Sequence, residues 1–487
     1  MRTIRFLVLI CLSWGVSFPF FAQELLGRHL QKQVEKADFL KRADAGILVY
    51  DLTDSDKEVF SYRAEKLFRP ASVEKLLTCI AALSTLDSLH TFDTRLTYTG
   101  LITGDTLTGN LYVKGYFDPL FDDDDLHQMA DAIRAAGIHH LKGKLIGDVT
   151  FMDSLYWGPG WAWDDTPETY QPYLSPLMLA RGCVDIYLSP RRKGEAAAIR
   201  VVPESDYYHI DNRTQSHTRG AGRLNATRNW LANGNTILLT GNVTSSVRRS
   251  LNLYGSKEFF LHTLRHALMQ KGISIPLDSL GFYPCPTDTL PLYHNVHSLH
   301  EVIKQALKTS DNLAAEAIGF HVAARHANGK SYLGFADSQN ALKSFVKKHL
   351  HIPSNHFRVR DASGMSGYNY VSPTLVMRCL QYAYRHPAIF NALYDCLPIA
   401  GTDGTLIHRM QHGKAFRNVR AKTGTLSAVS SLAGYVQAPN GHLLAFVILT
   451  QNALNTTEAR AFQDRLCEIL ASTKEPKASH ETIRSDD

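Results

Sequence analysis

The apolar positions along this chain change period several times, and each change marks an element. The run Gly46-Ile47-Leu48-Val49-Tyr50, the polar turn Thr53-Asp54-Ser55-Asp56 and the run Val59-Phe60-Ser61-Tyr62 read as a hairpin of two strands. Arg69-Pro70-Ala71-Ser72 then opens a long helix, since proline is tolerated in a first turn and Val73 to Leu86 is mostly apolar without Gly or Pro. A helix apolar on nearly every side is a central, buried one. From about Phe92 to Leu292 the texture is of short strands, at Arg95–Thr99, Gly109–Lys114, Leu145–Val149 and Thr236–Thr240, with one helical stretch at about Leu126–Ala136. Helices return at Leu299–Lys308, Leu313–Arg325 and Pro373–Tyr384. Strands follow at Val429–Gln437 and Leu443–Thr450, with a last helix at Thr457–Ala471 and a polar tail expected to be disordered. The pattern predicts a mixed α/β protein interrupted by a long, largely β insertion.

A chain of 487 residues with 44% hydrophobic and 20% charged residues is globular in balance and too long for one core, so two or three domains are expected. Met1-Arg2-Thr3-Ile4-Arg5, the apolar stretch Phe6 to Phe21 and Ala22-Gln23-Glu24 have the layout of a secretory signal cleaved after Ala22. A membrane anchor is the competing reading, but Ser13, Gly15, Ser17 and Pro19 interrupt the stretch. The formal charge of +6 is mild and its basic residues are scattered, which argues against a nucleic-acid partner. The cysteines left after processing, Cys79, Cys183, Cys285, Cys379, Cys396 and Cys467, show no C-x-x-C motif or compact disulfide framework. Cys79 reads as a buried thiol, and a Cys379–Cys396 bridge stays open.

Three short segments carry the candidate chemistry. Ser72 and Lys75 stand three apart, on one face of a helix, where a lysine can take the proton of a serine hydroxyl. Ser72 near the helix start also faces the positive end of the dipole, which suits a developing oxyanion. Lys75 must be transiently neutral to act as a base, and burial plus repulsion from Lys422 would both push it there. Ser310-Asp311-Asn312 begins a helix. Ser310 is either its N-cap or a hydroxyl that relays protons to a leaving group, while Asn312 holds Lys75 and the substrate backbone. Lys422-Thr423-Gly424-Thr425 ends a strand. Lys422 offers charge to a carboxylate, Thr423 and Thr425 offer hydroxyls, and Gly424 allows a peptide close approach. Each segment alone is commonplace; their joint occurrence in this order is not.

Together these motifs resemble the signature of penicillin-recognising serine enzymes, and the chain is most similar to the class C low-molecular-mass penicillin-binding proteins of the D-Ala-D-Ala carboxypeptidase/endopeptidase type. Arg69-Pro70-Ala71-Ser72, Gly109–Gly115, Trp161-Ala162-Trp163-Asp164-Asp165, Asp361-Ala362-Ser363-Gly364-Met365-Ser366 and Ala400–Leu406 share the likeness, which spans about Gly46 to Leu470. It implies a transpeptidase/β-lactamase-like domain, an antiparallel sheet flanked by helices, formed by residues 23–92 and 293–471. Residues 1–22 would be the signal and 472–487 the tail. Residues 93–292 would form a mainly β insertion of two small domains, one nested at about 116–185. It further implies a periplasmic hydrolase without cofactor or metal, in which Ser72 is acylated by peptidoglycan peptides ending in D-Ala-D-Ala, and β-lactams as covalent inhibitors of that serine. Catalytic roles fall to Ser72, Lys75, Ser310, Asn312 and Lys422, and substrate binding to Thr423, Gly424 and Thr425.

Gly115-Tyr116-Phe117-Asp118-Pro119 and Asp361-Ala362-Ser363-Gly364 depart from the family pattern without removing a reacting group. A β-lactamase and an inactive wall-binding scaffold are the alternatives; the long insertion and the lack of a Glu-based deacylation motif count against the first, the intact motifs against the second. Asp122 to Asp125 lack the oxygen spacing of a calcium loop and read as a loop or helix start, and His294, His297 and His300 read as surface residues. Trp157, Trp161 and Trp163 either line a glycan or peptide groove or simply pack.

Overall fold

The computed structural model describes residues 18–327, 329, 330 and 332–473. Most of the expected export signal and most of the polar tail therefore lie outside the described residues, and the helix Phe18–Lys36 runs continuously through Ala22. No helix among the described residues is long and apolar enough to cross a membrane.

One antiparallel sheet unites the two ends of the chain. Its five strands run Arg420–Leu426, Val429–Gln437, Leu443–Gln451, Asp44–Asp51 and Lys57–Tyr62, so the catalytic-motif strand Arg420–Leu426 is an edge. The central strands are apolar at almost every position because both faces are covered. Ile47, Val49, Phe446 and Ile448 pack toward the terminal helices Phe18–Lys36 and Thr456–Ser472, while Leu48, Val447 and Leu449 face the core around the helix Glu74–Thr85. That helix is enclosed by the helices Leu299–Lys308, Asn312–His326, Phe335–His349, Pro373–Arg385 and Pro387–Cys396. Lys75 is consequently carried into a dry interior.

The chain leaves this body through the strand Thr91–Tyr98 and returns through Leu290–Ser298, which pair antiparallel with Thr91 opposite Ser298. They belong to a second sheet of five strands that also contains Leu111–Gly115, Leu145–Asp148 and Leu280–Phe282. A strand pair at the exit holds both ends of the inserted region side by side. Among the described residues, every strand between Cys183 and Asn252 pairs only within that interval, whereas Leu145–Asp148 pairs with Leu111–Gly115 of the outer sheet. Where the sequence suggested an inner unit at about 116–185, we propose from this pairing an inner unit at 183–252.

Three helices depart from the sequence expectation: Ser256–Gln270, Phe335–His349 and Pro387–Cys396. The first stands inside the region read as nearly all β. Phe259, Phe260, Leu264 and Leu268 have helical spacing, but an apolar cluster among strands takes its period only from the core it joins. All six described cysteines are free, so the Cys379–Cys396 bridge does not form; both thiols pack as small core hydrophobes. Asp122 caps the helix Asp123–Ala135 in a reciprocal box with Asp125, which accounts for the acidic run. His297 is not a surface residue: it is partly buried and pairs with buried Asp118 at 2.8 Å, an ion pair that raises its pKa.

Candidate active site

Ser72 lies in a tight turn, Ala71–Val73, that feeds the helix Glu74–Thr85. Ala71 adopts φ +48°, a left-handed conformation that a non-glycine residue holds only when its surroundings impose it. Two glycines accommodate the turn. A Cβ on Gly364 would meet the Ala71 carbonyl at 1.9 Å, and one on Gly424 would meet the Pro70 carbonyl at 2.7 Å and Ser72 N at 3.1 Å. Gly424 therefore makes room for the Ser72 turn, and it also lines the cleft.

Lys75 is fully buried and spends all three ammonium hydrogens: on Ser72 Oγ at 3.0 Å, Asn312 Oδ1 at 2.6 Å and the Ser363 carbonyl at 2.7 Å. Burial lowers its pKa to about 8, against the opposing pull of Asp361, Asp311 and Glu316. Lys422, equally buried, donates to Ser310 Oγ at 2.8 Å and to the Thr423 carbonyl at 2.8 Å. Its pKa falls well below the usual lysine value, through burial first and then repulsion from Lys75. Desolvation is thus the leading cause for both ammonium groups.

Ser310 is not the N-cap. Asp311 caps the helix Asn312–His326, accepting from Ala314 N at 3.0 Å, which leaves Ser310, at φ +62°, free to turn toward Lys422. Asn312 supplies its oxygen to Lys75 as expected. Its Nδ2, however, donates to the Tyr170 carbonyl at 2.7 Å, which ties the amide to the loop after Trp161 instead of leaving it open to substrate.

Ser72, Ser310, Asn312, Thr423, Gly424 and Thr425 line one cleft of about 1150 Å³, with Lys75 and Lys422 buried behind it. Sequence reading missed several contributors. The Ser363 carbonyl completes the Lys75 acceptor set, and Thr405 Oγ1 bonds Thr423 Oγ1 at 2.7 Å. Both sit in segments that carried the family likeness but no assigned role. Arg69, His408, Arg409 and Arg460 also line the cleft; Arg409 is paired with Asp464 at 2.6 Å, and Arg460 gives an anionic ligand exposed positive charge that buried Lys422 does not. Beneath the floor, Glu316 accepts from Ala362 N and Ser363 N at 3.1 and 2.9 Å, holding the loop whose carbonyl receives Lys75. Burial raises the Glu316 pKa to about 8. Trp161 donates to Asp361 at 2.9 Å, so it packs and supports that loop and is not part of a groove.

The family described as D-Ala-D-Ala carboxypeptidase 3 (S13) matches residues 26–473. A D-alanyl-D-alanine carboxypeptidase from an Actinomadura species is 28% identical over 450 residues, covering 89% of this chain and 82% of that protein. The D-alanyl-D-alanine carboxypeptidase DacB of Haemophilus influenzae is 24% identical over 445 residues, 90% of each chain. The crystal structure of penicillin binding protein 4 from Haemophilus influenzae superposes with a TM-score of 0.77 at 23% identity, over 90% of this chain and 97% of that one.

Proposed function

The chain belongs to the D-Ala-D-Ala carboxypeptidase 3 (S13) family, and from that premise we propose that Ser72 is the nucleophile of a serine hydrolase that removes the terminal D-Ala from peptidoglycan stem peptides. The observation that carries this reading is the bond from Lys75 Nζ to Ser72 Oγ at 3.0 Å, made by an ammonium whose pKa burial lowers to about 8. In its neutral form Lys75 takes the Ser72 proton as Oγ bonds to the carbonyl carbon of the penultimate D-Ala. The tetrahedral intermediate expels the terminal D-Ala, whose amine receives a proton through Ser310, bonded in turn to Lys422. Water then attacks the ester on Ser72 with Lys75 again as the base, releasing the shortened peptide and restoring the serine.

Substrate would lie along the edge strand Arg420–Leu426 beyond its first residues, which bridge to Pro398 and Ile399, and pair there as an added strand. Its carboxylate would meet the hydroxyls of Thr423 and Thr425, with Arg460 Nη2 3.4 Å from Thr425 Oγ1. Asn312 keeps Lys75 aligned. β-Lactams would acylate the same serine, and cross-linked peptides with a D-Ala amide bond would enter the same cleft, which makes endopeptidase action part of the reading. Such a substrate places the protein outside the cytoplasmic membrane, in keeping with the secretory layout of residues 1–22. Mass spectrometry after incubation with penicillin should show one adduct, on Ser72, and purified muropeptides incubated with penicillin-free enzyme should lose D-Ala; peptides left unchanged by free enzyme from a preparation that labels fully with penicillin would refute the hydrolytic assignment.

A further inference from the structure

The geometry points to a glycan-binding platform at the outer end of the cleft, built on Trp163 and Trp230, for the amino-sugar chain attached to the peptide substrate; it rests on the peptidoglycan reading above. Trp163 keeps 64% of its surface exposed and neighbouring Leu231 73%. The indole rings of Trp163 and Trp230 lie 5.3 Å apart at 35°, although they come from different segments of the chain. Single exposed aromatics are ordinary, but exposed Trp163 held against half-buried Trp230 beside a cleft is not.

Buried polar groups do the holding. Arg228, buried, donates from Nη1 to the Gly234 carbonyl at 3.2 Å, in the turn that carries Trp230. Its Nη2 donates to Asn252 Oδ1 at 2.8 Å and Thr166 Oγ1 at 3.4 Å, the latter three residues past Trp163. Asn252 Nδ2 donates to the Gln171 carbonyl at 2.7 Å, and Gln171 Nε2 to the Ala162 carbonyl at 2.7 Å, next to Trp163. A desolvated guanidinium and two buried amides thus fix the two loops against each other, and fixed loops keep the ring pair in place.

The platform joins the cleft wall through the chain neighbours of Trp163. Ala162 and Asp164, on either side of Trp163, line the cleft, and the Tyr170 carbonyl of the same segment accepts from Asn312. An extended peptide covers about 3.3–3.6 Å per residue, so the few residues between scissile bond and sugar reach on the order of 10–14 Å along that wall. The chemical class follows from the surface. A pyranose ring offers a face of C–H bonds that fits the electron-rich face of an indole, and its acetamido groups need amide partners. Exposed Asn229 and Asn233 flank Trp230.

The test compares D-Ala release by the mature enzyme from a sugar-free pentapeptide and from the same peptide carrying its N-acetylated disaccharide. The kcat/KM ratio should favour the sugar-bearing peptide, fall about tenfold in Trp230→Ala, and largely recover in Trp230→Phe. Calorimetry with a tetramer of N-acetylglucosamine should show saturable binding that Trp230→Ala removes, and penicillin labelling at unchanged stoichiometry verifies that the variants fold. A ratio of one in the unaltered enzyme, or the same ratio in Trp230→Ala, overturns the platform. Should neither peptide release D-Ala, the proposed reaction fails on its own account, and the sugar titration still decides: absence of saturable binding sinks the platform.

Discussion

Lys75 touches Ser72, Asn312 and the Ser363 carbonyl at once, and the chemistry of the site follows from how that one ammonium is desolvated. With a pKa of about 8, roughly a tenth of the molecules hold it neutral at pH 7. The second-order rate of Ser72 acylation by a β-lactam should therefore climb from pH 6 to about 8 and level off above; a flat profile would remove Lys75 as the base. Folding depresses this pKa, so the unfolded chain binds the extra proton between about 8 and 10.5, and this group's contribution to stability improves as pH rises through that window. Ser72→Ala should abolish the adduct, and Lys75→Ala should slow acylation by a factor on the order of 10³ or more while leaving the melting temperature near its original value. Glu74 is the opposite case. Its carboxyl is buried with neither oxygen bonded among the described residues, and burial with nearby Asp361 and Glu316 drives its pKa well up. Glu74→Leu should raise stability by about 1–2 kcal/mol in denaturant titration, since it removes an unsatisfied polar group.

At the scale of elements, the site is a junction of a turn, a helix start, an edge strand and a loop, and its tolerances are set where their backbones meet. Gly364 and Gly424 are the two points of closest approach to the Ser72 turn. Gly424→Ala should cut acylation at least about tenfold while the fold survives, because the added methyl pushes on the backbone of Ser72 itself. The helix Asn312–His326 has a double task. Asn312 accepts from Lys75, and one turn on Glu316 clamps the loop that supplies the Ser363 carbonyl. Glu316→Ala should therefore lower acylation and shift its pH profile, whereas a purely structural loss would leave the pH midpoint where it was.

For the whole molecule, the decisive arrangement is a sheet that pairs Asp44–Asp51 with Leu443–Gln451, so that motifs separated by the insertion meet in one cleft. The inserted region is anchored by the adjacent strands Thr91–Tyr98 and Leu290–Ser298. With every described cysteine free, a reducing agent should leave the thermal midpoint of the mature protein unchanged, and a downward shift would mean a bridge forms that the fold does not contain.

The sequence alone supplied the candidate reacting residues and their order along the chain, because a nucleophile, its base and a hydroxyl relay need particular side chains at short local spacings: Ser72 with Lys75, Ser310 with Asn312, Lys422 with Thr423. It showed equally the strands Val429–Gln437 and Leu443–Thr450. Tertiary structure decided what depends on distant neighbours. It made Asp311 the helix cap and released Ser310, set Gly424 against the Ser72 turn, turned Phe259 and Phe260 into a helix face, and brought Ser363 and Thr405 to the site. Local spacing carries hydrogen-bonding chemistry and period; which cavity a group enters, and how far its pKa moves, is fixed only when remote segments exclude water together.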